Sequence, residues 1–361
     1  MKQGRTLQEL AIEINRQNNA KRDFLVPTSE IMMTSGISAN ELKIEGVDSF
    51  HINENAHRQL GEYCGIPAKY YEKLRGYPDM LAANVNHWLN IDRRSSGPDN
   101  RMVRTLDGSI RAFLSDRYRR IDNAQVAETV LPLIGQMDGA AVKSCEVTED
   151  RMYLKVVNPR LTTEVKKGDI VQSGILISNS EVGLGCVVVA PLIYRLVCTN
   201  GMIAQDTSAN RYRKQHVGRV NEIDVEYTVL RDETIEAEDK ALMMRLQDAV
   251  STAMNEAVFA GVVDKMRSAG EARIEAATVP KVVELVSKEV GIQQYEQDGI
   301  LGHLIEGGEL SLYGLGNAVT RYAQDVKSYD RSTELESIGY KVMTLSPARF
   351  NAIKSIARKE V

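Results

Sequence analysis

Basic and aromatic side chains alternate in two short segments, whose residue types and spacing best suit a binding role. The first segment supplies Arg117, Tyr118, Arg119 and Arg120, and the second supplies Arg211, Tyr212, Arg213, Lys214 and Arg219. Arginine and lysine neutralise phosphates, and an adjacent tyrosine offers a ring on which an unpaired base stacks. The alternative is that the tyrosines pack in sheets while the arginine stems cover apolar surface. The pattern predicts a nucleic-acid-binding face, with the second segment as the better candidate.

Arg195 lies between these segments, near the end of an otherwise apolar stretch. A buried arginine needs a partner, so its guanidinium either pairs with an internal carboxylate or faces a binding groove. We favour the internal pair, and we keep Arg195 among the candidate nucleic-acid contacts. Asn200 and Gly201, which follow it, are typical of a type I′ hairpin turn.

Recognisable catalytic motifs are missing from the sequence. It has no phosphate-binding loop, no HExxH and no GxSxG, and the glycines at 183 and 185 lead into an apolar strand rather than a helix. Glu41 and Lys43 resemble a nuclease pair on a strand, but so short a match is common by chance. Cys198 has no histidine near it in sequence and fits a small buried residue better than a nucleophile. We expect no catalytic residues, and an enzyme with an unrecognised site is the least favoured alternative.

Composition limits the class of protein further. Five histidines and four scattered cysteines in 361 residues lead us to expect no metal site and no cofactor. Unpaired cysteines suit a reducing compartment. The sequence has no apolar run of about 18 residues, and its N-terminal stretch lacks the apolar core of a signal peptide. We therefore expect a cytoplasmic protein that does not contact a membrane.

The charge distribution is uneven. A net charge of −4 argues against a protein that coats nucleic acid with its whole surface. Residues 205–220 nevertheless hold four basic residues against one acid, whereas residues 221–240 hold eight acids against two bases. Such a switch usually marks a solvated surface. Alternatively, the basic part is a local binding face, or the acidic part (222–239) binds a basic partner.

The secondary-structure signals divide the chain into three regions. We expect a mixed α/β region at 1–98, a β-rich central domain at 99–232 and a helical region at 233–361. The first boundary follows a loop rich in helix-breaking residues. Strands clustered in the middle with helices at the ends predict an α+β fold with a mostly antiparallel central sheet and flanking helices.

Several local signals support this division. Asn53 is placed to cap a helix that ends before Gly65. Asp107 and Gly108 predict a tight hairpin turn between two strands. The apolar period of 3.6 residues is continuous over 234–259, which predicts one long helix.

Five stretches resemble a known family. They are residues 65–71 (GIPAKYY), 111–118 (RAFLSDRY), 177–183 (ISNSEVG), 194–201 (YRLVCTNG) and 317–322 (NAVTRY). Together they are similar to the phage/plasmid-like proteins grouped as domain of unknown function nine-three-two, in the family's order along most of the chain. The resemblance implies a gene of a bacteriophage, prophage or plasmid. It supplies no catalytic residue, because the family's activity is unassigned.

This mobile-element context and the basic-aromatic segments together predict a protein that binds single-stranded nucleic acid, most plausibly DNA, without ATP. A single-strand annealing or DNA recombination-accessory role would fit, and such annealing proteins usually assemble as homo-oligomers. In this hypothesis the arginines and the lysine contact phosphates, and Tyr118 and Tyr212 stack on bases. The main alternative is a protein-interaction module that inhibits a host defence factor.

Overall fold

The computed structural model describes residues 1–36, 39–91, 99–204, 212–214 and 232–360, with the backbone alone for 212–214 and 232–236. The strands are β1 (Arg22–Pro27), β2 (Ile31–Ser35), β3 (Asn40–Ile44), β4 (Asp48–Ile52), β5 (Asn100–Leu106), β6 (Ser109–Ser115), β7 (Ala141–Val147), β8 (Met152–Glu164), β9 (Ile170–Asn179), β10 (Val187–Arg195), β11 (Asn200–Ile203) and β12 (Tyr212–Lys214). The helices are α1 (Leu7–Ala20), α2 (Glu54–Cys64), α3 (Ala68–Arg75), α4 (Pro78–Leu89), α5 (Asn123–Gln136), α6 (Asp232–Ala253), α7 (Glu256–Glu271), α8 (Val279–Val290), α9 (Gln297–Gly307), α10 (Leu312–Tyr322), α11 (Tyr329–Met343) and α12 (Pro347–Lys359).

The first sheet has the strand order β1-β5-β6-β4-β3-β2, and only its β4–β6 pair is parallel. Helices α2, α3 and α4 bury the apolar residues of one face. At the β2 edge, the side chain of Asn86 accepts a hydrogen bond from Met33 N at 2.7 Å and donates one to Met33 O at 2.8 Å. Helix α4 thus occupies backbone groups that an edge strand would otherwise leave open.

The tight turn between β5 and β6 is confirmed. Asp107 and Gly108 have φ angles of 51° and 78°, and two positive φ angles are what a type I′ turn requires. The helix cap at Asn53 is confirmed as well, because its side chain accepts from Ala56 N, and Gly65 ends α2 in the left-handed conformation.

The second sheet has the order β11-β10-β9-β8-β7 and is antiparallel throughout, with β12 also paired to β10. Helices α1, α5 and α6 pack on one face. On the other face Lys155, which is fully buried, forms an ion pair of 2.6 Å with Glu336 of α11. The sheet therefore lies between two helical layers, and the C-terminal helices share a further core with residues of β9, β10 and β11.

Two local predictions were wrong. The 234–259 stretch forms two helices, because Asn255 caps a new helix: its side chain accepts a hydrogen bond from Ala257 N. Asn200 and Gly201 are not the hairpin turn; the turn precedes them at 196–199, and they are the first residues of β11. Thr199 supplies the positive φ of 50° in that turn.

The α+β prediction is confirmed, with a strand-rich N-terminal region, two sheets and a helical C-terminal region. The predicted division at residue 98 falls between α4 and β5. However, β5 and β6 lie between β1 and β4, so the first sheet includes residues as far as Ser115. None of the described helices combines the length and the apolar character needed to cross a membrane.

A buried polar junction joins the two sheets at the loop between β9 and β10. Glu181 in this loop accepts hydrogen bonds from Arg111 of β6 at 2.7 Å and from the backbone N–H of Asn123 at 2.6 Å. Arg104 of β5 donates to the Glu181 carbonyl at 2.8 Å and forms ion pairs with Asp23 and Asp122. Arg104 is completely buried, so its charge depends on these partners.

We predict that Glu181→Ala lowers the free energy of unfolding by about 3–5 kcal/mol, because it leaves the guanidinium of Arg111 buried without its carboxylate. Chemical denaturation at pH 7 measures this change. The matched control is Asp264→Ala, which removes a carboxylate from an exposed ion pair with Arg267 and should cost less than about 1 kcal/mol. Equal losses in the two variants would contradict the role of the junction.

A second prediction concerns the pH dependence of stability. His57 of α2 is buried, and its Nδ1 lies 3.0 Å from the hydroxyl of Tyr71 on α3. Burial, and to a smaller extent the charge of Arg75, lowers the pKa of His57 to about 4. In the unfolded chain the side chain has a pKa of about 6.5. Between pH values of about 6.5 and 4, therefore, His57 is protonated in the unfolded state but not in the folded state.

The free energy of unfolding should therefore fall as the pH drops from about 6.5 to 4, with His57 contributing on the order of 3 kcal/mol of the loss. Denaturation curves of the wild type and of His57→Gln at several pH values measure it. The two stability profiles should run parallel above pH 7 and converge below about pH 6. A constant offset over the whole range would contradict this assignment.

Candidate nucleic-acid interface

The segment that follows β6 contains the first group of candidate residues, and the structure gives its members different surroundings. Arg117 and Arg120 are exposed. The guanidinium of Arg120 lies 3.5 Å from Asp23, with 57% of its side chain exposed. These two arginines are accessible to a phosphate.

Tyr118 does not match its predicted role. It is 9% exposed and packs with Ala112, Leu114 and Val182. Its hydroxyl donates a hydrogen bond to the carbonyl of Ser180 at 3.2 Å, and burial raises the pKa of this hydroxyl. A ring packed on these apolar side chains cannot stack on a base. The prediction that Tyr118 stacks was therefore wrong: it anchors the segment to the β9–β10 loop.

Arg119 also has a structural partner. Its guanidinium forms ion pairs with Glu238, at 3.2 Å, and with Asp239, and only 11% of its side chain is exposed. Both carboxylates belong to α6. A phosphate would have to compete with two carboxylates, so Arg119 holds α6 against the segment rather than presenting a free charge. The pairing also occupies two acids of the 222–239 stretch.

Arg195 forms the internal pair that we favoured. Its Nε and one terminal nitrogen donate to the two oxygens of Asp169 at 2.6 and 2.7 Å, and the hydroxyl of Tyr313 donates to the same carboxylate at 2.6 Å. This fork-to-fork geometry fixes the guanidinium firmly. Because Asp169 occupies the guanidinium, the structure favours this pair over the other alternative, in which Arg195 contacts nucleic acid from a groove.

Arg195 does line a pocket of about 320 Å³ between the β10–β11 turn and helices α9 and α10. Its other cations also have acidic partners: Lys166 pairs with Glu309, and Arg321 pairs with Asp325. Cys198 lies there too, half-buried in the turn with its Sγ 3.3 Å from Arg195, rather than fully buried as expected. The pocket is therefore balanced in charge and offers a phosphate no free cation.

The second basic segment is described in part. Tyr212, Arg213 and Lys214 form β12, which is paired with the first residues of β10 so that Lys214 is opposite Val187. Arg211 and Arg219 lie outside the described residues. The sequence pattern predicted a binding segment here but no strand.

Both basic segments lie at the same end of the second sheet. Tyr118 contacts the loop that leaves β9, and Asn179 at the end of β9 donates to the carbonyl of Ile121 at 2.9 Å. The same loop leads into Val187, the residue opposite Lys214. The loop between β9 and β10 therefore links the two segments. Tyr118 of the first segment contacts this loop, and the second segment pairs with β10, the strand that follows it.

One basic-aromatic surface was missed by sequence reasoning. Helix α3 carries exposed Lys69, Tyr70 and Lys73, and exposed Tyr77 follows its end. Lys69 and Tyr70 belong to the stretch at 65–71 that carries the family resemblance, but the basic-aromatic pattern extends to Tyr77 over about two helical turns. In the described part of the chain, no group of histidine, cysteine, aspartate or glutamate side chains is arranged to hold a metal ion.

Comparison with known proteins gives one match. The family model described as Domain of unknown function (DUF932) matches residues 112–345, which is more than half of the chain. The match includes four of the five resembling stretches almost completely and leaves out residues 65–71. No curated protein and no solved structure matches. The chain belongs to the DUF932 family, whose function is unknown.

Proposed function

We propose that this protein binds single-stranded nucleic acid, and DNA in particular, at the end of the second sheet where the two basic segments lie. The observation that supports this most directly is their common attachment to the β9–β10 loop, through Tyr118 on one side and through the Val187–Lys214 pair on the other. Positive charge from two distant parts of the chain at one end of a sheet suits a phosphate backbone.

The binding face is smaller than the sequence indicated. Arg117 and Arg120 provide its accessible charges from the first segment, whereas Tyr118 and Arg119 hold that segment in place. Strand β12 contributes Tyr212, Arg213 and Lys214 from the second segment. Arg195 is outside this face, because Asp169 holds it.

The biological role within this proposal is ATP-independent single-strand annealing, or assistance to DNA recombination, in a bacteriophage or plasmid context. A cytoplasmic location and homo-oligomeric assembly belong to the same proposal. The lack of a phosphate-binding loop in the sequence supports the independence from ATP, and the analogy with annealing proteins supports the homo-oligomeric assembly.

We predict that Arg117→Ala combined with Arg120→Ala weakens binding to a labelled oligothymidine roughly tenfold at moderate salt. The slope of log K against log salt concentration should become shallower by about 1.4, since each phosphate contact on a single strand contributes about 0.7. Fluorescence anisotropy over a salt series measures both quantities.

The matched control replaces exposed Lys341 and Lys359 with alanine, which removes the same charge from helices α11 and α12. This control should keep the wild-type slope. An equal effect of both double variants would indicate a response to net charge alone, and no binding by the wild type at low salt would refute the proposed function.

A further inference from the structure

Helix α3 presents a surface on which basic and aromatic side chains alternate. We call it the α3 face, formed by Lys69, Tyr70, Lys73 and Tyr77. All four residues are exposed, with 45% of Tyr70 and 57% of Tyr77 accessible. Two exposed rings beside two cations place stacking surfaces and positive charge on the same helix.

The helical geometry brings these residues to one side. Each residue of an α-helix advances by about 100°, so Lys69, Lys73 and Tyr70 lie within roughly 100° of arc. The turn continues past Arg75, because Gly76 N donates to Lys73 O at 3.3 Å and Tyr77 N donates to Leu74 O at 2.7 Å. Tyr77 therefore falls on the same side, one turn beyond Lys73.

Among the described residues, the cations of the α3 face have no acidic partner, unlike Arg119 and Arg120 of the first basic segment. Within the described ranges, neither Lys69 nor Lys73 has an ion-pair partner, and neither Tyr70 nor Tyr77 has an aromatic neighbour or a side-chain hydrogen bond. The nearby carboxylate of Glu72 is held by Arg75 at 3.1 Å. Asp79, in the first turn of α4, is the acid that follows Tyr77 in sequence.

The opposite side of α3 is fixed to the domain. Tyr71 and Leu74 are buried against α2 and α4, and the hydroxyl of Tyr71 lies 3.0 Å from His57. The helix therefore holds the rings and ammonium groups on a rigid support before any ligand arrives. A preorganised surface loses less conformational entropy when it binds.

We propose that the α3 face is a second contact surface for single-stranded nucleic acid, on which Tyr70 and Tyr77 stack with unpaired bases while Lys69 and Lys73 neutralise the adjoining phosphates. The inference rests on the proposed function, because it names a further surface for the same class of ligand. Ring faces next to free ammonium groups match a chain in which bases and phosphates alternate. An acidic peptide would use the lysines and leave the tyrosines without a role.

A cleft of about 510 Å³ is lined by Ala68 and Tyr71 of α3 and by Leu184 of the β9–β10 loop. Glu54, Glu62, Glu72 and Asp150 line this cleft as well. Their charge would repel phosphates, so a strand that uses both surfaces passes around the cleft rather than through it.

The test compares oligothymidine with an abasic oligodeoxyribose phosphate of the same length, because only the first has bases to stack. Tyr70→Ser combined with Tyr77→Ser should weaken binding to oligothymidine by about tenfold or more and leave binding to the abasic chain nearly unchanged. Tyr70→Phe combined with Tyr77→Phe keeps both rings and should retain the wild-type affinity.

Tyr295→Ser is the matched control, since Tyr295 is 75% exposed on a different part of the surface, and it should have no effect. Circular dichroism and thermal unfolding should show the same fold for every variant, because the α3 face makes no core contact. If the serine variant keeps the wild-type preference for oligothymidine over the abasic chain, the inference is wrong.

Photo-crosslinking of a 5-bromouracil oligonucleotide locates the contact directly. Crosslinks to residues 68–77 support the α3 face, and crosslinks confined to the segment that contains Arg117 and Arg120 overturn it while preserving the proposed function. Loss of binding in the Tyr70 and Tyr77 variant but not in the Arg117 and Arg120 variant would favour the α3 face over the proposed site. Equal binding of the wild type to anionic phosphatidylserine vesicles, with no preference for oligothymidine, would contradict the inference.

Discussion

The buried contacts of Glu181 are the constraint on which the arrangement of the molecule depends. This carboxylate lies in a loop of the second sheet, yet its partners are Arg111 of the first sheet and the backbone at the start of α5. The backbone carbonyl of Glu181 also accepts a hydrogen bond from the completely buried Arg104. Charges removed from water are stable only with their partners in place, so the two sheets are held in one orientation. That orientation sets where Tyr118, and the arginines beside it, meet the β9–β10 loop.

Ion pairing decides which basic residues are available for binding. Arginines such as Arg119 and Arg195 are suited to contact phosphates, but carboxylates of the protein itself pair with each of them. Because the Asp169 carboxylate neutralises the guanidinium of Arg195, this pair contributes little positive electrostatic potential at the surface. Lys69 and Lys73 belong to a less conspicuous stretch of sequence, yet their charges are not neutralised within the described part of the chain. The count of basic residues in a segment is therefore a poor guide to its affinity for phosphates.

Local signals predicted much of the fold because the interactions behind them are local. Asn53 caps α2 through a backbone group three residues away, and the Asp107–Gly108 turn depends on the φ angles of two residues. The division of 234–259 into two helices was missed, although Asn255 supplies a cap, because the apolar period of 3.6 residues continues across it. The assignment of β5 and β6 to the first sheet was missed because strand neighbours are chosen by long-range pairing.

The sequence by itself determined the α+β class, most element positions, the family resemblance and the residue types that suit nucleic acid. Periodicity, capping residues and turn residues act over a few positions, so they can be recognised in one dimension. Only the tertiary structure decided that Tyr118 is buried, that Arg119 and Arg195 are paired, and that Tyr70 and Tyr77 are exposed. Burial and ion pairing depend on residues far apart in the chain, 120 positions for Arg119 and Asp239 and 181 for Lys155 and Glu336, and no local pattern in the sequence specifies such partners.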